Sequence, residues 1–200
     1  MVVVKIGGTN GSGKSSLIRA ALAKYAHVPV MGAKKIEAYN VRTYLPQPVV
    51  VLGSYVNVCG GMDGISDKHE RLALVRKYAA GENVVLYEGL ITGKTYGAMG
   101  ALSEEPGQRG NWIYAFMDTP YDVCVERIMQ RRAAKGNHAP FDPERTVRAT
   151  FNSCISTAKR AAEQGHRVLM LDHTMSPAEQ LAVVFSEVRG LLRRNKNARR

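Results

Sequence analysis

The sequence has few cysteines and no long apolar run, and both absences narrow the class of protein. Three cysteines, Cys59, Cys124 and Cys154, occur among 200 residues. Their odd number and their lack of paired metal-type spacing argue against a disulfide framework or a zinc ribbon and predict reduced, buried thiols. The longest apolar runs, such as Pro48–Leu52, have the length of a strand and are too short for a membrane helix or a secretory signal. We therefore expect a cytoplasmic protein without a membrane partner.

Acidic residues are also scarce. The chain has 17 acidic against 28 basic residues, a net charge of +11 and a sequence pI of about 9.8. This imbalance favours a polyanionic partner. Much of the excess lies in a basic tail at about 189–200, which has six positive charges and no acid. Such a tail is either a solvated helix end or a contact to a phosphate backbone, and the sequence leaves both readings open.

The apolar segments alternate with helical patterns along the whole chain, without repeats or long linkers. The chain has 200 residues and 45% hydrophobic content, which predicts one domain over 1–200. The alternation of strand-like and helical segments predicts an α/β layered fold. We expect a mainly parallel sheet of five strands, with an uncertain extra strand or hairpin around Lys35–Val41. The five predicted strands are Val2–Ile6, Val49–Leu52, Val84–Tyr87, Trp112–Met117 and Arg167–Leu171. The predicted helices are Lys14–Tyr25, Tyr121–Ala134, Glu144–Gln164 and Pro177–Leu192.

A phosphate-binding loop follows the first strand. Residues 8–15 read GTNGSGKS, which fits the pattern GxxxxGK[ST] between a β-branched strand and a helix. The glycines permit close approach of backbone amides to phosphate, Lys14 bridges the terminal phosphates of a nucleoside triphosphate, and Ser15 ligates Mg²⁺. We therefore predict an ATP-type cofactor site formed by Asn10, Gly11, Ser12, Gly13, Lys14, Ser15 and Ser16.

Two carboxylates are candidates for the chemistry beside this loop. Glu88 ends the predicted strand VVLYE, where it can hold Mg²⁺ or act as the general base. Alternatively it only caps the next segment. Asp63 lies in a glycine-rich loop after the second strand, where it binds an acceptor, takes a hydroxyl proton, or merely forms a turn before Gly64.

Three arginines on one helix resemble a phosphate clamp. Arg127, Arg131 and Arg132 follow the fourth predicted strand, and a flexible Lys135–Asn137 end suits a lid-like helical segment that closes over phosphates. An exposed basic helix face is the alternative. Tyr55 and Arg109, in glycine-containing loops, are weaker candidates for binding the substrate.

The chain resembles the P-loop nucleoside and nucleotide kinases and, more particularly, the bacteriophage 5-hydroxymethyluracil DNA kinases of thymidine hypermodification. The resemblance rests on the phosphate loop and on further runs at 53–55, 60–64, 87–90, 117–120, 124–127 and 131–132. It implies phosphorylation of the 5-hydroxymethyl group of a base already in DNA, in the cytoplasm of a host cell. It also implies ATP phosphates on residues 11–16, Mg²⁺ near Ser15 and Glu88, an arginine clamp, and Asp63 as the acceptor-side carboxylate. Base flipping or a single-stranded approach would admit the target.

Two other functions fit the same residues. A kinase of free nucleosides or nucleoside monophosphates would use the same loop, carboxylate and arginines, but it would not need the basic tail. An NTPase or a nucleotide-switched nucleic-acid-binding protein would use the tail but would label no acceptor. The oligomeric state and the identity of the base stay open.

Overall fold

The computed structural model describes residues 1–57, 61–89 and 96–197 and contains a central sheet of seven strands. The strand order is β2-β3-β4-β5-β1-β6-β7, and β4, β5, β1, β6 and β7 run parallel to one another. The five parallel strands predicted from the sequence are therefore present. The strands are β1 (Val2–Gly7), β2 (His27–Met31), β3 (Ile36–Val41), β4 (Val49–Leu52), β5 (Val84–Glu88), β6 (Trp112–Asp118) and β7 (Arg167–Asp172).

Two of the seven strands extend the sheet beyond the five predicted. β2 pairs antiparallel with β3, and β3 pairs antiparallel with β4. The extra segment around Lys35–Val41 is therefore one arm of a hairpin, and the sheet has seven strands instead of five. β2 contains Pro29 and lies at the sheet edge, where a residue without an N–H group is tolerated.

Helices cover both faces of the sheet. Val2, Val4 and Ile6 of β1 pack into one apolar core, whereas Val3 packs into the other. This alternation is what a strand buried on both faces requires. The first core includes residues of α1 (Lys14–Lys24) and of α6 (Pro177–Asn197), and the second includes residues of α2 (Lys68–Ala79), α3 (Gly97–Glu104) and α5 (Ala149–Glu163). The predicted three-layer α/β fold is confirmed.

The described residues form six helices, two of which the sequence pattern did not predict. The predicted helices agree with α1, with α4 (Tyr121–Ala133), with α5 preceded by a π-helical turn at Glu144–Arg148, and with α6, which ends at Asn197. α2 and α3 are additional. Residues 189–197 of the basic tail form the last turns of α6, and residues 198–200 lie outside the described residues.

The described residues contain no helix that is long and apolar enough to cross a membrane. Cys124 and Cys154 are buried thiols outside any disulfide among the described residues, as predicted, and Cys59 lies outside the described residues.

Candidate functional site

A cleft of about 520 Å³ lies at the carboxyl ends of β1, β5 and β6. Parallel α/β sheets bind ligands at this edge, because the loops that leave the strands diverge there. Residues from six separate segments line the cleft: Asn10–Ser16, Arg19, Asp63, Glu88, Met117, Arg127, Arg131, His173, Met175, Pro177 and Gln180. The cleft therefore brings together most of the residues that the sequence predicts for the site.

The phosphate loop connects β1 to α1, and Gly11 fixes its course. Gly11 has a positive φ of 78°, and a Cβ atom at this position would lie 2.4 Å from the backbone oxygen of Cys124. Only glycine fits this close approach to α4. Since α1 begins at Lys14, the loop ends at a helix N-terminus whose free N–H groups face the cleft.

Side chains hold the loop in place from several directions. Ser12 Oγ donates a hydrogen bond to the carbonyl oxygen of Thr9 at 2.8 Å. Thr119 Oγ1, after β6, donates to the carbonyl oxygen of Ser12 at 2.9 Å, and this bond is buried. Arg127 Nη1 donates to the carbonyl oxygen of Gly11 at 3.4 Å. The loop is thus linked at one point to the β6–α4 connection and at another to α4 itself.

Lys14 and Glu88 form the charged centre of the cleft. Lys14 is 7% exposed and Nζ donates to the carbonyl oxygen of Thr9 at 2.8 Å, while Glu88 is 1% exposed and accepts a hydrogen bond from Ser15 Oγ at 2.9 Å. Burial raises the pKa of Glu88, and the charge of Lys14 and the hydrogen bond from Ser15 oppose that rise. Burial lowers the pKa of Lys14, and the Glu88 charge opposes that fall. Each group therefore helps to keep the other ionised.

Gly61 positions the chain beside Glu88. Gly61 has φ +74°, its N–H donates to the carbonyl oxygen of Ser54 at 2.9 Å, and a Cβ atom here would lie 2.5 Å from Glu88 Oε1. Asp63 follows two residues later in a 3₁₀ turn at Met62–Gly64, exposed and lining the cleft. The contact between Gly61 and Glu88 thus brings both candidate carboxylates to one cleft. Residues 58–60 of the predicted glycine-rich loop lie outside the described residues.

The three arginines of the predicted clamp do not share one location. Arg127 and Arg131 line the cleft, four residues apart on α4. Arg132 does not line it: its Nη2 donates to Asn137 Oδ1 at 3.2 Å, and its guanidinium lies 5.0 Å from the ring centre of Phe141. Neighbouring residues on a helix point about 100° apart, and here Arg131 is directed to the cleft whereas Arg132 is held by partners outside it.

Tyr55 and Arg109, the two weaker candidates, also lie outside the lining of the cleft. Tyr55 is buried in the core, and burial raises the pKa of its hydroxyl well above the usual value, with Glu88 and Asp63 adding to the rise. It therefore packs behind the carboxylates. Arg109 is exposed, and its Nε lies 3.8 Å from Glu104 Oε2 in an ion pair outside the cleft.

Sequence reasoning missed Arg19 and gave no function to His173. Arg19 follows Ser15 by one helical turn on α1 and donates a hydrogen bond to the carbonyl oxygen of Asn57. That i, i+4 spacing from the phosphate loop was the signal available in the sequence. His173 Nδ1 lies 3.1 Å from the carbonyl oxygen of Asp118. His173, Met175 and Pro177 line the cleft, so the loop after β7 forms part of its wall.

The oxygen groups in the cleft fit Mg²⁺. Ser15 supplies a hydroxyl oxygen and Glu88 a carboxylate, and hard oxygen donors of this kind suit that ion. No cluster of three or more histidine, cysteine or acidic side chains that could hold a metal occurs within the described ranges. Mg²⁺ is usually bound by one or two protein oxygen atoms together with waters and substrate phosphates, and Ser15 and Glu88 supply two such oxygen atoms.

Comparison with known proteins identifies relatives among bacteriophage enzymes. No protein-family model matches the chain. The chain is 33% identical over 175 residues to the 5-hmdU DNA kinase of Pseudomonas phage PaMx11, covering 85% of this chain and 90% of that protein. It is 30% identical over 146 residues to the 5-hmdU DNA kinase of Pseudomonas phage M6, covering 68% and 74% respectively. The structure resembles a deoxyadenosine kinase from M. mycoides, with a TM-score of 0.53 and 10% identity over 94% of this chain and all of the other. At that identity the likeness establishes a shared fold.

Proposed function

Because this chain belongs to the 5-hmdU DNA kinase family, we propose that it transfers the γ-phosphate of ATP to the 5-hydroxymethyl group of 5-hydroxymethyluracil in DNA. The resemblance found in the sequence, and with it the prediction of a phosphotransferase, are thereby confirmed. The observation that carries the proposal is the single cleft that holds the phosphate loop, Lys14, Glu88 and Asp63 together. Such a cleft has groups for both a phosphate donor and a hydroxyl acceptor.

The donor side of the reaction rests on the loop and two arginines. Backbone N–H groups of residues 11–16 bind the ATP phosphates, and Lys14 neutralises charge on the β- and γ-phosphate oxygens. Arg127 and Arg131 face the same cleft and stabilise the charge that spreads over the transferred group. Ser15 and Glu88 would hold Mg²⁺, which, when bound, neutralises phosphate charge. Arg132, which has other partners, has no role in this proposal.

Asp63 is the proposed general base. Glu88 is buried and already accepts a hydrogen bond from Ser15, whereas Asp63 is exposed at the cleft, where an incoming hydroxyl group can reach it. The hydroxymethyl oxygen bonds to the γ-phosphorus as the bond from that phosphorus to the β–γ bridging oxygen breaks. The hydroxyl proton passes to Asp63, and ADP leaves.

Arg19 is the proposed contact for the phosphodiester of the target nucleotide. It lines the cleft and is close enough to Glu88 for its charge to lower the pKa of that carboxyl. A guanidinium group suits a phosphate oxygen because it donates two parallel hydrogen bonds. A free nucleoside lacks this phosphate, so the contact would favour a target within a DNA chain.

The target base would enter the cleft outside the base stack. In a stacked base the 5-substituent projects into the major groove, whereas the charged centre of this cleft is almost fully buried. We expect 2-aminopurine placed beside the target to brighten when saturating enzyme is added. Unchanged fluorescence at saturation would argue against extrusion.

The activity is tested with γ-labelled ATP, Mg²⁺ and four acceptors. These are DNA with 5-hydroxymethyluracil, unmodified DNA of the same sequence, the free modified nucleoside and its monophosphate. Label on the modified DNA alone is the expected result, and Lys14→Ala enzyme serves as the inactive control. Label confined to the free nucleoside or monophosphate would replace this function with a metabolic one, and ATP hydrolysis without label would indicate an NTPase.

A further inference from the structure

A second, larger cavity lies at the opposite end of the sheet from the cleft. Its volume is about 970 Å³, against about 520 Å³ for the cleft. Its walls come from the residues that precede β1, β4 and β5 and from the last turns of α6. The lining residues are Met1, Tyr44, Pro46, Gln47, Glu82, Arg189, Leu192, Arg193, Asn195 and Lys196. None of these residues lines the cleft.

Positive charge dominates the α6 wall of this cavity. Arg189, Arg193 and Lys196 are spaced four and three residues apart, so they share one face of the helix, and all three are exposed. Within the part of the chain that the structure describes, no carboxylate forms an ion pair with any of them. Glu82 is the single acidic residue in the lining. The wall therefore carries a surplus of cations suited to an anion.

Two further contacts shape the cavity for a ligand. The guanidinium of Arg189 lies 4.7 Å from the ring centre of Tyr44, which restrains its position. Asn195 Nδ2 donates to Asn111 Oδ1 at 2.6 Å, which ties the end of α6 to the sheet.

The distance between the two sites corresponds to a few base pairs of DNA. α6 spans both sites, since Gln180 lines the cleft and Arg193 lines the second cavity. At 1.5 Å per residue, these positions are about 20 Å apart along the helix axis. Double-stranded DNA rises about 3.4 Å per base pair, so it covers the same distance in about six base pairs.

We propose that the second cavity is an auxiliary DNA site, in which Arg189, Arg193 and Lys196 bind the phosphodiester backbone about six base pairs from the target base. This inference rests on the proposed function, because it takes DNA as the substrate. The site adds affinity and takes no part in phosphate transfer. Its contribution is electrostatic and independent of sequence.

The test compares the wild type with the triple variant Arg189→Gln, Arg193→Gln, Lys196→Gln. Binding of a fluorescent 20-base-pair duplex with a central 5-hydroxymethyluracil is measured from 50 to 250 mM KCl. The logarithm of the association constant falls linearly with the logarithm of the salt concentration, and each lost phosphate contact makes that slope less negative by about 0.9. We therefore expect the slope to become less negative by about 2 to 3, and the affinity at 100 mM KCl to fall at least tenfold. The rate with a modified trinucleotide, too short to reach the cavity, should stay unchanged.

Three control measurements separate this site from general loss of charge or of folding. The variant Lys68→Gln, Arg145→Gln, Lys159→Gln removes the same charge from exposed positions on α2, in the turn before α5 and on α5, none of which lines the second cavity, and should keep the wild-type slope. The variant Arg189→Lys, Arg193→Lys should also keep it, and thermal melting checks the fold of each protein. An unchanged slope in the first triple variant, or an equal loss in the control triple variant, overturns the inference. If the wild type labels neither duplex nor trinucleotide, the proposed function itself fails.

Discussion

Replacing Gly61 with alanine tests whether Gly61 sets the position of Glu88. The new Cβ atom would lie 2.5 Å from Glu88 Oε1 and 2.9 Å from the Glu88 backbone oxygen. Ordinary van der Waals contacts of a Cβ atom begin at 3.4 Å. Since the N–H of Gly61 is bound to the carbonyl oxygen of Ser54, the carboxylate has to move by about 0.9 Å. That movement stretches the hydrogen bond from Ser15 beyond its normal length.

Two costs add in this variant. Holding alanine at φ +74° and ψ −152°, a region that essentially only glycine adopts, costs about 1–3 kcal/mol, and relieving the overlap costs about 1–3 kcal/mol. We therefore expect the free energy of unfolding to fall by about 3 kcal/mol, which lowers Tm by about 6–12 °C for a domain of this size. A carboxylate displaced by about 1 Å should also lower kcat about 100-fold.

Gly64→Ala is the matched control, because no atom lies within 4 Å of its added Cβ atom. Calorimetry and initial rates with modified DNA measure both proteins. We expect the control to stay within about 0.5 kcal/mol of wild type, the usual range for a surface substitution. If Gly61→Ala matched the control in Tm and in kcat, Gly61 would not be what positions Glu88.

Three further predictions concern the reaction itself. Lys14→Ala should lower kcat at saturating ATP by at least about 10²–10³-fold, because it removes the positive charge that neutralises the transferred phosphate. A kcat within threefold of the wild-type value would refute the phosphate-loop assignment. Burial raises the pKa of Glu88 above its ordinary value of 4.5, so kcat/KM should fall as the pH drops through that raised pKa. This acid limb should be absent from the residual activity of Glu88→Gln, and a limb that persists in that variant would show that Glu88 does not cause it. Arg19→Ala should raise KM for modified DNA about tenfold and leave KM for ATP unchanged, whereas Arg132→Ala should change neither. Equal effects of the two arginine variants would remove Arg19 from the acceptor side.

The strands were predictable where apolar residues form continuous runs. β1, β4, β5 and β6 are buried along almost their whole length, whereas β7 lies at the sheet edge and is only partly buried. Each of the five still reads as a short apolar segment in the sequence. β2 has no such signal, because it lies at the sheet edge with Pro29 in its centre and most of its residues exposed. α2 carries five charged residues among twelve, and α3 contains two glycines, so both helices lack a clear apolar stripe.

The phosphate loop and Glu88 were predictable because short local patterns define them. Asp63 was a weaker candidate, since its place at the cleft depends on a contact between Gly61 and Glu88 that joins segments distant in sequence. Arg19 and Arg132 show a second limit. Spacing along a helix indicates which residues share a face, but only the packing of that helix decides which face meets the cleft.

The hydrogen bond from Thr119 to Ser12 also bears on the thermodynamics of ATP binding. Together with the bond from Arg127 to Gly11, it ties the phosphate loop to the β6–α4 connection and to α4 before any nucleotide arrives. Ordering a free backbone costs about 1–2 kcal/mol per residue, and here folding rather than binding bears that cost. Preorganisation of this kind leaves more of the interaction energy between loop and phosphates as net affinity. Thr119→Val would then weaken ATP binding through a larger entropic penalty, although Thr119 itself does not line the cleft.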